Sequence, residues 1–522
     1  MKSIKETYIP ILAMTLAMAI VIQLTQEYRL YAKEVENLWL NDWLWIRPFF
    51  HKPGGISQLL VSAMTQYWSI WGMGALCLAS VCGCILLLVQ KIQRSIGISD
   101  SILSFWLLPV GFMFLSNEHS YFNMKAHVAL LIAIAVAYAY IKLSGWRDEK
   151  MLVRIATVLF LVQLAYLAAG SSAVVTVAII IVYEIFRNRN WLQPFIAVAT
   201  LVLYAGFSVK AGVFVDMEEA LTPAQYYEWP ASYNTPLFAW LGVPVIILLG
   251  FFLSKKIIKE EHKAKKFGIF VTGLIVSSLT IFNAYKVVHS PRIDLLRQDE
   301  WRVRNSDWDG IIKSHKGDKD PTPFISYLNL ALAKKGQLVQ RMAEFNPYIM
   351  WSDEDKMYSP VLMIHNENSR DALKLQSCIF MEWGGIALAN AQKSAYEANF
   401  LTPGETDPDE LKRLVLTNTL FDTGKTAQKY LRRLARTTKY GQWAKDRISD
   451  SSIIAAEVES LRKTLPAGDE FYYKTQIGKM LRQIVMHNPE NDIAAQFYET
   501  YLIQSRDTTA YRHWKEGLLA KE

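Results

Sequence analysis

The sequence predicts an all-α protein in two parts, a polytopic membrane helix bundle of about nine spans followed by an external tetratricopeptide-like helical-repeat domain. Three observations carry that reading. Apolar residues fill 52% of the 522 positions and charged residues only 20%, which is the average of a membrane half and a water-facing half. Apolar runs with basic punctuation continue to Lys286, and no later run approaches the roughly 20 residues that cross a bilayer. Beyond that point amphipathic periodicity recurs between Pro and Gly breaks. The expected domains are a transmembrane domain, 1–286, and an external domain, 287–522.

The spans fall at 8–25, 68–90, 101–116, 127–143, 152–169, 172–186, 191–209, 236–254 and 267–285. Those at 101–116 and 172–186 are short, so eight or nine is the count and a re-entrant hairpin is the alternative. The first run follows Met1, Lys2 and Lys5 and has no small-residue cleavage site before Gln26 and Glu27, as expected of a retained span.

Basic residues set the orientation. With the N-terminus inside, the inside loops carry Lys91 and Arg94, then Arg147, Lys150 and Arg154, then Arg187 and Arg189, then Lys255, Lys256, Lys259, Lys263, Lys265 and Lys266. Most outside loops are poor in them. The first, 26–67, is an exception, with Arg29, Lys33, Arg47 and Lys52. An odd number of spans then places 286–522 outside.

The net charge of +8 belongs mostly to the inside loops, so it does not imply nucleic-acid binding. Cys77, Cys82 and Cys84 lie in the second span and Cys378 stands alone, which offers neither a disulfide framework nor zinc-ligand spacing.

Within the first outside loop, HKPGGISQLLVSAMTQYW (51–68) carries Ile56, Leu59, Leu60, Ala63, Met64 and Tyr67 at helical spacing, with Ser57, Gln58, Ser62, Thr65 and Gln66 opposite. Pro53, Gly54 and Gly55 break the chain, and 56–67 is expected to lie in the headgroup plane with its apolar face, including Leu59 and Leu60, toward the lipid. In the external half, 308–347 reads as a helix, a Pro-marked turn and a second helix with Ala331 closely packed. In 411–448, Gly424 separates two amphipathic helices, and 487–507 opens with Asn-Pro before another. These resemble degenerate tetratricopeptide repeats, with a plain helical bundle as the alternative.

PGGISQLLVSAMTQYW followed by WGMGALC, with YLNLALAKKGQL far downstream, resembles an uncharacterised family of bacterial multi-pass membrane proteins, and the likeness covers most of the chain. The layout is also similar to GT-C superfamily glycosyltransferases, which take sugars from polyprenyl-phosphate donors. They have a first span, a long external loop with acidic residues and interfacial helices, further spans, and often an external C-terminal domain. The resemblance implies the cytoplasmic (inner) membrane of a bacterium, with the N-terminus cytoplasmic and the C-terminal domain periplasmic. Its implied partners are membrane lipid, a polyprenyl-phosphate-linked sugar, and a protein partner or acceptor at the helical-repeat domain, with no nucleic acid.

Inverting sugar transfer needs a carboxylate to deprotonate the acceptor or to help hold a divalent cation, the one cofactor the resemblance suggests. The candidates are Asp42, Glu36 and Glu34 in the first loop, and Glu118 and His119 in SNEHSYFNMKAH (116–127). Arg29, Arg47 and Lys125 are the expected donor-phosphate ligands. A noncatalytic envelope scaffold anchored by the spans is the alternative function. A transporter is disfavoured by the scarcity of ionisable residues in the spans. The topology is directly testable: reporter fusions near residue 260 should report the inside and near residue 300 the outside, and an inside signal at 300 would overturn every external-site expectation.

Overall fold

The computed structural model describes residues 2–118, 122–146, 151–227, 234–256, 263–316, 325–345, 370–402, 407–421, 424–466 and 476–517. These residues are helical almost throughout and contain no β-strand, only the isolated bridges Leu40–Thr437 and Phe122–Tyr227. The chain divides into two compact units. One comprises Met1–Lys33 and Asn41–Ser290, the other Glu34–Leu40 and Pro291–Glu522.

The first unit contains α1 (Lys2–Glu36) as far as Lys33, α2 (Trp43–Ile46), α3 (Gly55–Met64), α4 (Met73–Ile96), α5 (Leu107–Leu115) and α6 (Lys125–Trp146). These are followed by α7 (Met151–Ala169), α8 (Ala173–Tyr183), α9 (Leu192–Lys210), α10 (Met217–Leu221), α11 (Asn234–Lys256) and α12 (Lys263–Val288). Eight helical segments among the described residues are long and apolar enough to cross a membrane. One of them, Met151–Asn188, has 38 residues. Straight, it would extend about 57 Å, nearly twice a hydrocarbon core. It is not straight. Arg154 Nη2 meets Glu184 Oε2 at 3.1 Å although the two are 30 residues apart, whereas an unbroken helix would hold them about 45 Å apart. The reversal occurs at the tight turn Gly170–Ser172, where Gly170 adopts φ +58°. Segments α7 and α8 are thus antiparallel arms.

The core of the bundle depends on small residues. Ala126, Ala129, Ala133 and Ala137 form one fully buried stripe of α6, so that α4, α7 and α8 can all pack closely against it.

Two features differ from the sequence expectation. Residues 26–36 are not loop, because α1 runs through them to Glu36 with a kink at Gln26 (φ −137°, ψ 19°). Helix α3 forms as expected after Pro53-Gly54-Gly55, but its polar face turns inward: Ser57, Ser62, Thr65 and Gln66 are buried while Leu60 and Tyr67 are 44% and 39% exposed. The physical reason is local hydrogen bonding. Ser57 Oγ donates to the Gly54 carbonyl at 2.6 Å and Thr65 Oγ1 to the Val61 carbonyl at 3.0 Å. The polar face therefore meets part of its own hydrogen bonding and packs against α6 and α7, leaving the apolar face outward.

Segments that the sequence assigned to one side of the membrane are hydrogen-bonded to one another. Gln225 donates to the Pro53 carbonyl at 3.1 Å and accepts from the Ser171 amide at 2.7 Å, and the Gly54 amide reaches the Leu167 carbonyl at 2.9 Å. The Asn123 amide donates to the Tyr226 carbonyl at 2.7 Å. Residues 53–55, 122–123, 167–172 and 225–226 thus meet at one end of the bundle.

The second unit continues with α13 (Pro291–Arg304), α14 (Trp308–Ser314), α15 (Ile325–Lys334), α16 (Leu338–Phe345), α17 (Arg370–Trp383), α18 (Ala387–Phe400) and α19 (Pro408–Phe421). It ends with α20 (Lys425–Ala435), α21 (Gly441–Ser449), α22 (Ser451–Arg462), α23 (Ile477–His487), α24 (Asp492–Gln504) and α25 (Thr508–Lys515). Sequential helices pack in pairs, with α17 on α18, α19 on α20 and α23 on α24. Gly424, at φ +80°, separates α19 from α20, and Ala331 is fully buried in α15. The expected pairs are subdivided further: Gly336, at φ +69°, splits off α16, and a turn before Gly441 splits off α21. Pro321, Pro323 and Pro347 lie outside the described residues.

The hairpin turn gives a stability test. A Cβ on Gly170 would come within 2.4 Å of Gln225 Oε1, whereas one on Gly212, also left-handed at φ +70°, would meet nothing within 4 Å. Gly212→Ala should lose only the backbone preference, on the order of 1 kcal/mol. Thermal unfolding in detergent should show Gly170→Ala losing clearly more; equal losses would contradict the packed turn.

Candidate functional site

Three residues of α1 at helical spacing, Gln26, Arg29 and Lys33, turn one face beyond the kink toward the end of α5. There the apolar run stops. Ser116 returns its hydroxyl to the Phe112 carbonyl at 3.0 Å, and a single 3-10 turn, Ser116–Glu118, presents Glu118 inward. Arg29 Nη2 donates to Glu118 Oε2 at 2.7 Å, and Nη1 donates to the Asn117 carbonyl at 3.0 Å. Gln26 Nε2 approaches Glu118 Oε1 at 3.3 Å. The same Oε2 lies 2.8 Å from His289 Nδ1, in the residue that follows α12. Arg29 and Glu118 are almost completely buried, while the His289 side chain keeps 19% of its surface and stacks on Tyr285 at 4.5 Å between ring centroids.

Adjoining groups extend this polar cluster. Lys33 Nζ donates to the Phe122 carbonyl at 2.8 Å, and Asn117 Nδ2 lies 3.4 Å from His127 Nε2. Lys125 Nζ is 5.7 Å from the centroid of the Tyr226 ring. Burial pushes the phenols of Tyr226 and Tyr227 above their usual range, so neither ionises to serve as a base near neutral pH.

A buried carboxylate stays charged only when cations and hydrogen bonds replace its water. Glu118 has that support, and it fixes His289 in turn. A neutral His289 that donates Nδ1–H to the carboxylate carries its lone pair on Nε2. A divalent cation here would have to share the Glu118 carboxylate with Arg29. Within the unit Glu118 and His289 supply two donor atoms, and Arg29 already brings positive charge to the same carboxylate oxygen.

The other residues singled out from the sequence are distributed elsewhere. Glu34 and Glu36 belong to the second unit. Glu34 Oε1 accepts from Tyr440 Oη at 2.6 Å and from Lys439 Nζ at 2.7 Å, and Glu36 Oε1 accepts from Arg370 Nη2 at 2.9 Å. Asp42, half-buried, caps α2 through the Leu44 amide at 3.1 Å. Arg47 begins an exposed 3-10 turn, Arg47–His51. His119 lies outside the described residues. Pro53, Gly54 and Gly55 are buried; a Cβ on Gly55 would fall 1.9 Å from the Phe49 carbonyl oxygen, so only glycine fits. Leu59 is half-buried and Leu60 exposed.

Sequence reasoning passed over Gln26, Lys33 and His289 as site residues. For Lys33 a signal existed, since the excess of basic residues in an outside loop contradicted the charge rule. Its burial, with that of Arg29, accounts for half of that excess. His289 gave only a faint signal, a histidine directly after the last apolar run.

A double-mutant cycle tests the pair. Glu118→Gln and Arg29→Met should each cost about 3–5 kcal/mol in unfolding, because each strands a buried charge. The double variant should cost much less than their sum. Additive losses would show that the two charges do not depend on each other.

The family described as "Family of unknown function (DUF6057)" matches residues 2–513, and the chain belongs to it. Neither curated proteins nor solved structures give a match.

Proposed function

We propose that this member of a family of unknown function is a membrane glycosyltransferase of GT-C-like layout, which takes a sugar from a polyprenyl-phosphate-linked donor, and that Glu118 and His289 form its base. The observation that supports this most directly is the Glu118 carboxylate bonded through one oxygen to both Arg29 and His289 at the end of an apolar bundle. The long α1, the following amphipathic α3 and the later spans fit the layout. In the proposed step, His289 Nε2 takes the proton of an acceptor hydroxyl. The acceptor oxygen bonds to the anomeric carbon, the bond from that carbon to the phosphate oxygen breaks, and polyprenyl phosphate leaves. Arg29, Lys33 and Lys125 supply positive charge for the departing phosphate. No step is assigned to a metal.

The reading centres on Glu118 because it meets the imidazole of His289, whereas Glu34 and Glu36 meet cations and a phenol in the second unit and Asp42 caps a helix. It places the chemistry on the periplasmic side of a bacterial inner membrane, and it gives the second unit a tetratricopeptide-like surface for a protein or glycan acceptor. A noncatalytic scaffold is the second reading. It is favoured by Glu34 and Glu36, which serve the internal packing of the second unit as structural links would.

Polyprenyl phosphate added to the purified full chain should raise its unfolding temperature, whereas polyprenol of equal length should not. At about 100-fold above Kd the stabilisation is about 2.7 kcal/mol. His289→Ala should lower transfer of labelled sugar from the lipid donor by about 10²–10⁴-fold. If polyprenyl phosphate has no effect, and Glu118→Gln and His289→Ala both complement a deletion fully at normal protein levels, the enzyme reading falls and the scaffold reading stands.

A further inference from the structure

His289 is the first residue past α12, and its amide still donates to the Tyr285 carbonyl at 2.8 Å. That bond carries the helical register one residue beyond the helix, so positions 285 and 289 stand one turn apart on a single face. Their rings lie 4.5 Å apart between centroids and 22° from parallel, and both side chains are half-buried. Glu118 reaches the same imidazole at its edge, 2.8 Å from Nδ1. The two contacts restrain different motions. A single hydrogen bond holds one ring atom and lets the ring swing about the bond, which carries Nε2 along an arc. An aromatic face holds the plane of the ring and lets it turn within that plane. Together they leave one orientation. The end of a helix frays readily, so the backbone alone does not orient a side chain at this position.

We propose that Tyr285 is the positioning residue of His289: its ring fixes the imidazole plane, so that the bond to Glu118 selects the Nδ1–H tautomer and Nε2 is presented to an acceptor hydroxyl. The role given to Nε2 rests on the proposed function, whereas the placement of the ring does not. The stack acts in the charged state as well. Once Nε2 has taken the hydroxyl proton, the imidazolium lies over the face of Tyr285, inside the roughly 6 Å at which an aromatic ring attracts a cation. Phenylalanine at 285 would keep that face and lose only the hydroxyl. Leucine would keep apolar bulk and helix preference without a π-face, and it suits a half-buried helical position, so the variant folds.

The full chain in lipid nanodiscs, labelled with nitrogen-15 at histidine only, provides the test by solid-state NMR in alkaline buffer, where imidazole is neutral. The difference spectrum against His289→Asn picks out His289 among the nine histidines. Wild type should show one tautomer, protonated at Nδ1, and Tyr285→Phe should keep that spectrum. Tyr285→Leu should show both tautomers. In sugar transfer Tyr285→Leu should lower kcat by about 10–100-fold with KM unchanged, a larger loss than that of Tyr285→Phe. A wild-type spectrum in Tyr285→Leu overturns the proposal. So does a Tyr285→Phe spectrum that matches Tyr285→Leu, which would assign the role to the phenol hydroxyl. The NMR measurement needs no turnover. A chain that gives the expected spectra and transfers no sugar therefore refutes the glycosyltransferase reading and leaves the fixed imidazole standing.

Discussion

The membrane unit is organised by one constraint, that a polar group removed from water must find its partner inside the protein. Gln225 shows how it is met. Its amide nitrogen reaches the Pro53 carbonyl and its amide oxygen receives the Ser171 amide, so a single side chain ties the break before α3 to the turn between α7 and α8. Tyr226 continues the tie: its hydroxyl donates to the Ala169 carbonyl at 2.8 Å and receives the Ser172 amide at 3.1 Å. The turn at Gly170 can therefore be buried. Because it is buried, α8 folds back along α7, and Glu184 at the far end of that hairpin can neutralise Arg154.

The same constraint sets the chemistry available at the candidate site. Glu118 at this depth would be too costly as a bare anion, and its bonds to Arg29, Gln26 and His289 replace lost hydration. Those bonds also hold the imidazole in a defined orientation, which is what a proton acceptor requires. A group with only a structural role needs the first property but not the second. The retained exposure of His289, set against the burial of Arg29 and Glu118, is where the two roles separate.

In the second unit, buried charge serves packing. Glu410 is fully buried and pushed up to about 8 by that burial; it accepts from Ser377 Oγ at 2.7 Å and adjoins Arg413. Lys374 joins Glu300 and Asp407, the latter at 3.0 Å. Asp409 is instead held down at about 2: although burial alone would raise it, Arg304 and Lys412 outweigh that effect. Its share of the stability is accordingly full above its ordinary value near 4 and fades as the pH falls toward 2. Glu34 and Glu36 enter this unit as two more anions among basic and phenolic partners, and Leu38, two residues further on, joins the apolar core.

The sequence by itself determined the elements whose cause is local. Apolar run lengths mark the passes, including both arms of 151–188; Pro53-Gly54-Gly55 marks the start of α3; Gly424 marks the break before α20. Each follows from hydrophobic period or backbone freedom, properties of adjacent residues. Part of the site was legible too, since Arg29, Glu118 and Lys125 stood out as charges at span ends. Only the tertiary structure decided which charges meet. Glu118 finds His289 at a separation of 171 residues and Glu34 finds Tyr440 at 406, and the inward turn of the polar face of α3 depended on what packs against it. Hydrophobic periodicity fixes which way a helix faces water or lipid, but it carries no information on which distant side chain completes a buried charge. That choice belongs to the packing of helices that are remote in sequence.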